Sequence, residues 1–417
     1  MSKPFNRNSV HPLTPVTMTL VGIVIAVMTT QAAEATKPTT RGGPKSNQTQ
    51  KAKEPRVEIM STKVICKEPG RYIGWPTIAR THRGDLVVVF SGDRDEHVCP
   101  WGKTQMVRSS DGGKTWTAPA TINNTPLDDR DAGIIETDKG TLVVSWFTMM
   151  DFALQRQKWP SPAIRDAYRH HSEKLDAETR EKWLGYWIRR SEDDGKTWGK
   201  PIRNHVTAPH GPIQLSDKRL LYVGGLWARG VGYLGTGDGK DIIAGVEESR
   251  DDGLSWSLIG TVPIPSDEVI AHYAEPHVVE VEKGKLVALF RYEPPDRSQC
   301  FLRQSESTDG GKSWSLAHPT PIWGFPPHLI RLKNGALLVT YGRRIPPFSE
   351  RACLSRDAGR TWDTDNEITL TAAPNGDLGY PASVELEDGS ILSVYYQIDQ
   401  PGENTTSLMG THWRLSW

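Results

Sequence analysis

One eight-residue pattern occurs five times in this chain. It reads SSDGGKTW at Ser109–Trp116, SEDDGKTW at Ser191–Trp198, SRDDGLSW at Ser249–Trp256, STDGGKSW at Ser307–Trp314 and SRDAGRTW at Ser355–Trp362. All five fit S-x-D-x-G-x-[TS]-W. Recurrence of this kind marks a fold assembled from repeated supersecondary units. The chemistry of the pattern is local. An Asp side chain accepts hydrogen bonds from backbone N–H groups just ahead of it and closes a turn. The glycine supplies the backbone freedom that the turn needs. The Ser or Thr and the Trp that follow start the next strand, with the indole packing between sheets. The pattern therefore reads as a hairpin staple, and its aspartates as structural.

A second repeat runs out of phase with the first. Six apolar strands each follow a turn: Gly84–Phe90, Gly140–Phe147, Lys218–Gly225, Gly284–Arg291, Gly335–Arg343 and Gly389–Tyr396. Each is a nearly continuous apolar run, as expected for a strand covered on both faces. Six such units arranged radially give an all-β, six-bladed β-propeller. The last unit has no Asp pattern, so its blade is expected to close by joining a strand near Trp413 to one near Val64. One stretch breaks the rhythm. Residues from about Ser161 to Trp187 are rich in Ala, Glu, Arg and Lys with spaced aromatics, which predicts one or two short helices inserted in the second blade. Long insertions at a propeller mouth tend to carry function.

The start of the chain reads as a targeting segment. Lys3 and Arg7 precede a short apolar run, Met18–Met28, and small residues ending at Ala32, Ala33 and Ala35. That is the pattern of a cleavable signal peptide over 1–35. A Lys-, Thr-, Gly- and Gln-rich linker over 36–56 and a propeller over 57–417 follow. The protein is expected to be secreted or periplasmic, with no stable membrane insertion after cleavage. Lys+Arg and Asp+Glu both number 50, so nothing in the bulk charge favours nucleic acid. Cys66, Cys99, Cys300 and Cys353 are compatible with two disulfides or with four buried thiols. No Cys/His metal spacing is present, and neither a metal nor a cofactor is expected.

Five Asp boxes on six strand units resemble the sialidase (neuraminidase) superfamily, and the resemblance covers nearly the whole chain after the linker. It implies a secreted, exo-acting, retaining glycoside hydrolase that removes terminal acidic sugars from glycans. In that superfamily a Tyr is the nucleophile, an exception to the two-carboxylate scheme. A Glu takes its proton, an Asp serves as the acid, and arginines bind the sugar carboxylate bidentately. By resemblance, Tyr380 in LGYPASVELEDGS is the nucleophile and Glu275 in AEPHVVEVEKGKLVALFR its base. Arg291, Arg343 and Arg344 are carboxylate-binding candidates, Arg351 a weaker one. Arg94 in SGDRDEHVCPW resembles the blade-one arginine, and Asp95 and His97 fall where the acid loop begins. The family's first arginine precedes Ile-Pro, but here the segment is IGWPTIAR and Gly74 stands in its place. Arg71 and Arg80 are the nearest substitutes in sequence.

The residues suggest further candidates. LDDRDAGI places Arg130 and Asp131 just before a core strand, where a propeller mouth can use them; the alternative for Asp131 is a turn cap. His97, His210, His277 and His328 each precede a strand and could form a second acid/base set. Trp75 and Trp101 could stack on a sugar, although core filling is the commoner use of such side chains. A non-catalytic glycan-binding propeller, or a glycosidase or lyase of different specificity, are the alternative functions.

Overall fold

The computed structural model describes residues 56–154, 161–226 and 243–416. The expected leader, 1–35, and the expected linker up to residue 55 lie outside the described residues. Six four-stranded antiparallel sheets form the blades of a β-propeller. In blades 1 to 5 the strands run from inner to outer in chain order. Blade 1 consists of Tyr72–Arg80, Leu86–Arg94, Lys103–Ser109 and Ala120–Asn123; blade 2 of Asp128–Glu136, Leu142–Met149, Gly185–Ser191 and Ile202–Arg203. Blade 3 consists of Ile213–Gln214, Leu220–Leu226, Ile243–Ser249 and Ser257–Thr261. Blade 4 consists of Tyr273–Glu282, Lys285–Tyr292, Phe301–Ser307 and His318–Trp323; blade 5 of Phe325–Arg331, Leu337–Arg343, Ser349–Ser355 and Ile368–Ala372.

Blade 6 departs from this order. Its first three strands are Leu378–Glu385, Ile391–Gln397 and Ser407–Ser416, and its outer strand is Arg56–Cys66. The closing pair runs antiparallel from Arg56 opposite Ser416 to Cys66 opposite Leu408. Trp413 and Val64 both belong to it, as the sequence leads one to expect.

The Asp boxes occupy the turns from third to outer strand in blades 1 to 5. In the first, Asp111 Oδ1 accepts from the backbone N–H of Lys114 and Thr115 at 3.0 and 2.9 Å, and from Ser109 Oγ at 2.8 Å. Thr115 Oγ1 donates to Asp111 Oδ2 at 2.6 Å. The same Asp-to-Thr or Asp-to-Ser bonding recurs at Asp193, Asp251, Asp309 and Asp357. Blade 6 has no box for a topological reason. Its third and outer strands come from opposite ends of the described chain, so no turn joins them.

The apolar core lies between blades. Side chains alternate across a strand, so each second strand feeds two interfaces. In blade 4, Leu286, Ala288 and Phe290 pack toward blade 3, whereas Val287 and Leu289 pack toward blade 5. This explains why the six second strands read as unbroken apolar runs. Removing a side chain such as Leu289 would cost about 2–5 kcal/mol, since the neighbouring blade cannot collapse into the gap.

The insertion in blade 2 forms two helices. α1 (Pro162–Lys174) is capped by Ser161 Oγ, which accepts from Ile164 N at 3.2 Å, and α2 (Ala177–Trp183) by Asp176. Trp187, at the edge of the expected insertion, already belongs to the third strand. Tyr168 of α1 packs with Cys99, Leu127 and Phe152 and ties the insertion to the blade-one loop. All four cysteines are buried free thiols.

Candidate functional site

Strand direction decides which face can carry chemistry. Inner strands start, and second strands end, on one face; the Asp boxes sit where third strands end, on the other. On the first face a backbone device recurs that the sequence analysis missed. In blades 1, 2, 4, 5 and 6 two inner-strand residues stand opposite one residue of the second strand. In blade 5 the pair is Pro326-Pro327; in the other four the first bulge residue is left-handed: Trp75 (φ 55°), Asp131 (50°), Glu275 (47°) and Tyr380 (53°). Such a bulge bends its strand and re-aims a side chain. Each non-glycine residue held there costs on the order of 1–3 kcal/mol, a strain typical of functional positions. Proline follows at three of the four, in Trp75-Pro76, Glu275-Pro276 and Tyr380-Pro381. A repeated X-Pro early in the inner strand was therefore the available signal.

Three of these four residues meet in one cavity of about 260 Å³, lined by His97, Val98, Arg130, Asp131, Phe147, Met149, Asp151, Glu275, Arg291, Glu293, Arg344 and Tyr380. At its floor Tyr380 Oη donates to Glu275 Oε1 at 2.5 Å. Arg291 Nη1 donates to Glu275 Oε2 at 2.5 Å and to Tyr380 Oη at 3.2 Å. Glu293 holds the other side of Arg291, accepting from its Nε at 2.7 Å. Burial, then the Glu275 charge, pushes the Tyr380 hydroxyl well above its ordinary value. Arg344 donates from Nε to the Leu378 carbonyl at 2.8 Å and from Nη2 to Tyr396 Oη at 3.1 Å, with its guanidinium 5.5 Å from the centre of the Tyr380 ring.

Asp131 enters the cavity from blade 2. Its backbone N–H donates to Ser91 Oγ at 3.0 Å, while its Oδ1 is buried without a hydrogen bond among the described residues. Burial pushes its carboxyl up to about 7, against the pull of Arg130. A carboxyl in that range can give and retake a proton near neutrality. His97 caps the blade-one side. Burial and the neighbouring arginines hold its imidazole neutral, well below the ordinary value.

Three residues expected at the site are placed elsewhere. Arg94 is fully buried and forms a 2.7 Å ion pair with Asp128, also fully buried. Asp95 is held by Arg71 Nη1 and by Trp101 Nε1, the latter at 2.9 Å, and does not line the cavity. Arg343 lies 5.4 Å from the centre of the Trp323 ring and is absent from the lining; adjacent residues at a strand end point opposite ways, and it is Arg344 that turns inward. Neither Arg71, Arg80 nor Arg351 lines the cavity; they pair with Asp93 and Asp95, with Glu387, and with Glu367. Trp75 is 1% exposed and fills the core, and Trp101 packs on Tyr168 and His171. The four histidines divide. His97 lines the cavity, while His210, His277 and His328 are buried and cluster together, the last two stacked at 4.5 Å. Asp151 and Glu293 line the cavity without having been singled out. Glu293 follows Arg291 by two residues and so shares its direction, whereas Asp151 comes from a short helix opening the insertion, which no local pattern announces.

A family model described as "BNR repeat-like domain" matches residues 174–393, more than half of the chain. A xyloglucanase, Xgh74A of Acetivibrio thermocellus, is 26% identical over 212 residues, covering 45% of this chain and 22% of that protein. A sialidase of Bacteroides fragilis is 23% identical over 368 residues, covering 77% of this chain and 59% of that protein. The chain thus spans less than two thirds of the length of either relative. Among solved structures, a Dyadobacter fermentans protein of unknown function superposes with a TM-score of 0.68 at 23% identity, covering 86% of this chain and 99% of that one.

Proposed function

This chain belongs to the BNR repeat-like domain family, with the glycoside hydrolase-like propeller of the sialidase-type superfamily, and from that membership we propose that it is an exported, retaining exo-glycosidase acting on terminal acidic sugars. The observation that carries the reading is the 2.5 Å contact between Tyr380 Oη and Glu275 Oε1 inside the cavity. A neutral Tyr is a poor nucleophile unless a base takes its proton during attack, and Glu275 stands where that proton must go.

The chemistry runs in two balanced steps. In the first, Tyr380 Oη bonds to the anomeric carbon as its proton passes to Glu275. The glycosidic bond breaks, and the leaving oxygen takes the Asp131 proton. In the second, Asp131 removes a proton from water, the water oxygen bonds to the anomeric carbon, and Tyr380 leaves with the proton held by Glu275. Arg291 stabilises Glu275 and the phenolate character that develops on Tyr380, since its Nη1 reaches both oxygens. Arg344 presents its guanidinium to the sugar's acid group. Export rests on the basic start and short apolar run Met18–Met28, and a mature N-terminus near Ala33 to Thr36 would support it.

The test is a panel of fluorogenic glycosides of acidic and neutral sugars, followed by proton NMR of the first product formed. Release from an acidic member with retained anomeric configuration is expected. Inversion would remove the Tyr380 mechanism. Binding of acidic sugars with no turnover would leave a glycan-binding propeller.

A further inference from the structure

Blade 1 supplies no arginine at position 74, where the residue is Gly74. A Cβ built on Gly74 would stand 3.3 Å from Tyr72 Cε1, a tight contact, and 3.9 Å from the Tyr396 ring, an ordinary one, so a side chain there would need Tyr72 to give way slightly. The neighbouring blade offers another guanidinium. Arg130 precedes the blade-two bulge and lies over the face of buried Trp75, 4.2 Å from the ring centre. Its Nη1 donates to the His97 carbonyl at 2.7 Å and to the buried Asp128 Oδ2 at 3.4 Å, and its Nη2 faces His97 Nε2 at 3.5 Å.

The ring of His97 is itself oriented. Tyr72 Oη donates to Asp377 Oδ1 at 2.8 Å and lies 3.2 Å from His97 Nδ1. Because the Tyr72 proton is given to Asp377, Tyr72 accepts from His97. Nδ1 therefore carries the imidazole hydrogen, and Nε2 turns a lone pair toward Arg130. An acceptor at Nε2 holds a guanidinium, whereas a protonated Nε2 would repel it.

We propose that Arg130 is a carboxylate-binding residue of the cavity, taking over from blade 2 what Gly74 withholds in blade 1, and that Asp377, Tyr72 and His97 form a relay that positions it. The inference rests on the acidic-sugar reading above. The ligand class is a sugar bearing a carboxylate within reach of both Arg130 and Arg344. A flat aromatic face beneath the guanidinium and the His97 and Asp128 acceptors along its edge leave little freedom to lose on binding, the condition under which a planar fork recognises carboxylate well.

The test measures binding, so it does not depend on turnover. Tyr380→Phe protein is titrated calorimetrically with N-acetylneuraminic, 3-deoxy-manno-octulosonic, glucuronic and galacturonic acids, each beside its methyl ester. At least one acid is expected to bind about tenfold or more tightly than its ester, the scale of one charge-assisted hydrogen bond. Adding Arg130→Met, which keeps the stem on Trp75, should bring that ratio close to one; Arg130→Lys should restore part of it. Adding Tyr72→Phe, which removes only the hydroxyl, should lower the ratio while leaving ester binding unchanged. Equal binding of every acid and its ester, or a ratio that survives Arg130→Met, overturns the assignment. A ratio unmoved by Tyr72→Phe overturns the relay. Failure of the wild-type protein to turn over any glycoside, with the acid-to-ester ratio intact, would count against the glycosidase reading alone.

Discussion

Blades 1 and 4 share one backbone and differ in what they do with it. Each has the left-handed bulge near the start of its inner strand, followed by proline, and each bears an arginine toward the end of its second strand. In blade 4 the bulge residue is Glu275 and the arginine is Arg291, and both open onto the cavity. In blade 1 the bulge residue is Trp75, which fills the core, and the arginine is Arg94, bound to Asp128 in full burial. The bulge position is equivalent in the two blades, and its side chain decides whether it packs or reacts. The arginines are not equivalent: Arg291 stands opposite Ala274 just before the bulge, where blade 1 has Ser91 opposite Gly74, and Arg94 lies further on opposite Tyr72.

The sharpest way to break this comparison is to change Glu275→Gln and measure turnover. If the blade-four bulge carries the base, kcat should fall by about 10²–10⁴-fold with folding intact. A small loss would make the bulge structural in both blades. Next comes Arg94→Ala, which removes the closest partner of the buried Asp128 carboxylate and leaves it only the 3.4 Å contact with Arg130 Nη1 and the Cys99 N–H. A loss of about 3–5 kcal/mol in denaturant unfolding is expected, with KM little changed in whatever folds. Arg291→Ala should show the reverse pattern, losing activity first. Exchange of these two outcomes would mean that the roles of the two blades are reversed.

Asp131→Asn sharpens the same contrast through pH. Wild-type activity should fall as pH rises through about 7, because the acid loses its proton there, and the variant should lose both the activity and that limb. The folded-state pKa lies above the ordinary value near 3.9. Asp131 therefore favours the folded state at low pH, and that stability drains away as pH climbs from about 4 to about 7. At pH 8 the Asn variant should melt higher than the wild type. The smallest effect is expected at the opposite face. Hydrogen bonds from Thr115 and Ser109 hold the Asp111 carboxyl below its ordinary range, so its contribution is present above pH 4 and fades as pH falls. Asp111→Asn should slightly flatten acid unfolding and leave turnover unchanged; a change in turnover would contradict a purely structural box.

Much of the fold was legible because its signals are local and repeated. The Asp box closes its own turn, and second strands read as apolar because both faces are covered. Glu275, Arg291, Arg344 and Tyr380 were legible by motif, and the cavity gathers them with Asp131 and His97. Arg343 and Arg344 are adjacent, however, and which one turns inward depends on strand register rather than on residue type. Arg94 was misplaced for a related reason. An arginine at a strand end can face a cavity or a buried carboxylate, and Asp128, which decides the matter, comes from the next blade. Asp151 rests on how an insertion folds back, which no window of sequence contains.

The pairing that completes blade 6 also sets an order of events. Arg56–Cys66 leaves the ribosome long before Ser407–Ser416, and neither end of the circle has its partner until about 350 intervening residues have been synthesised. Contacts this distant in sequence are slow to find, because loop closure must be completed before they reward it. Until then the first-made strand waits with an unpaired edge, the kind of surface that recruits strands from other molecules. The same seam that makes the finished ring continuous is the step at which a half-made molecule is most exposed to the wrong partner.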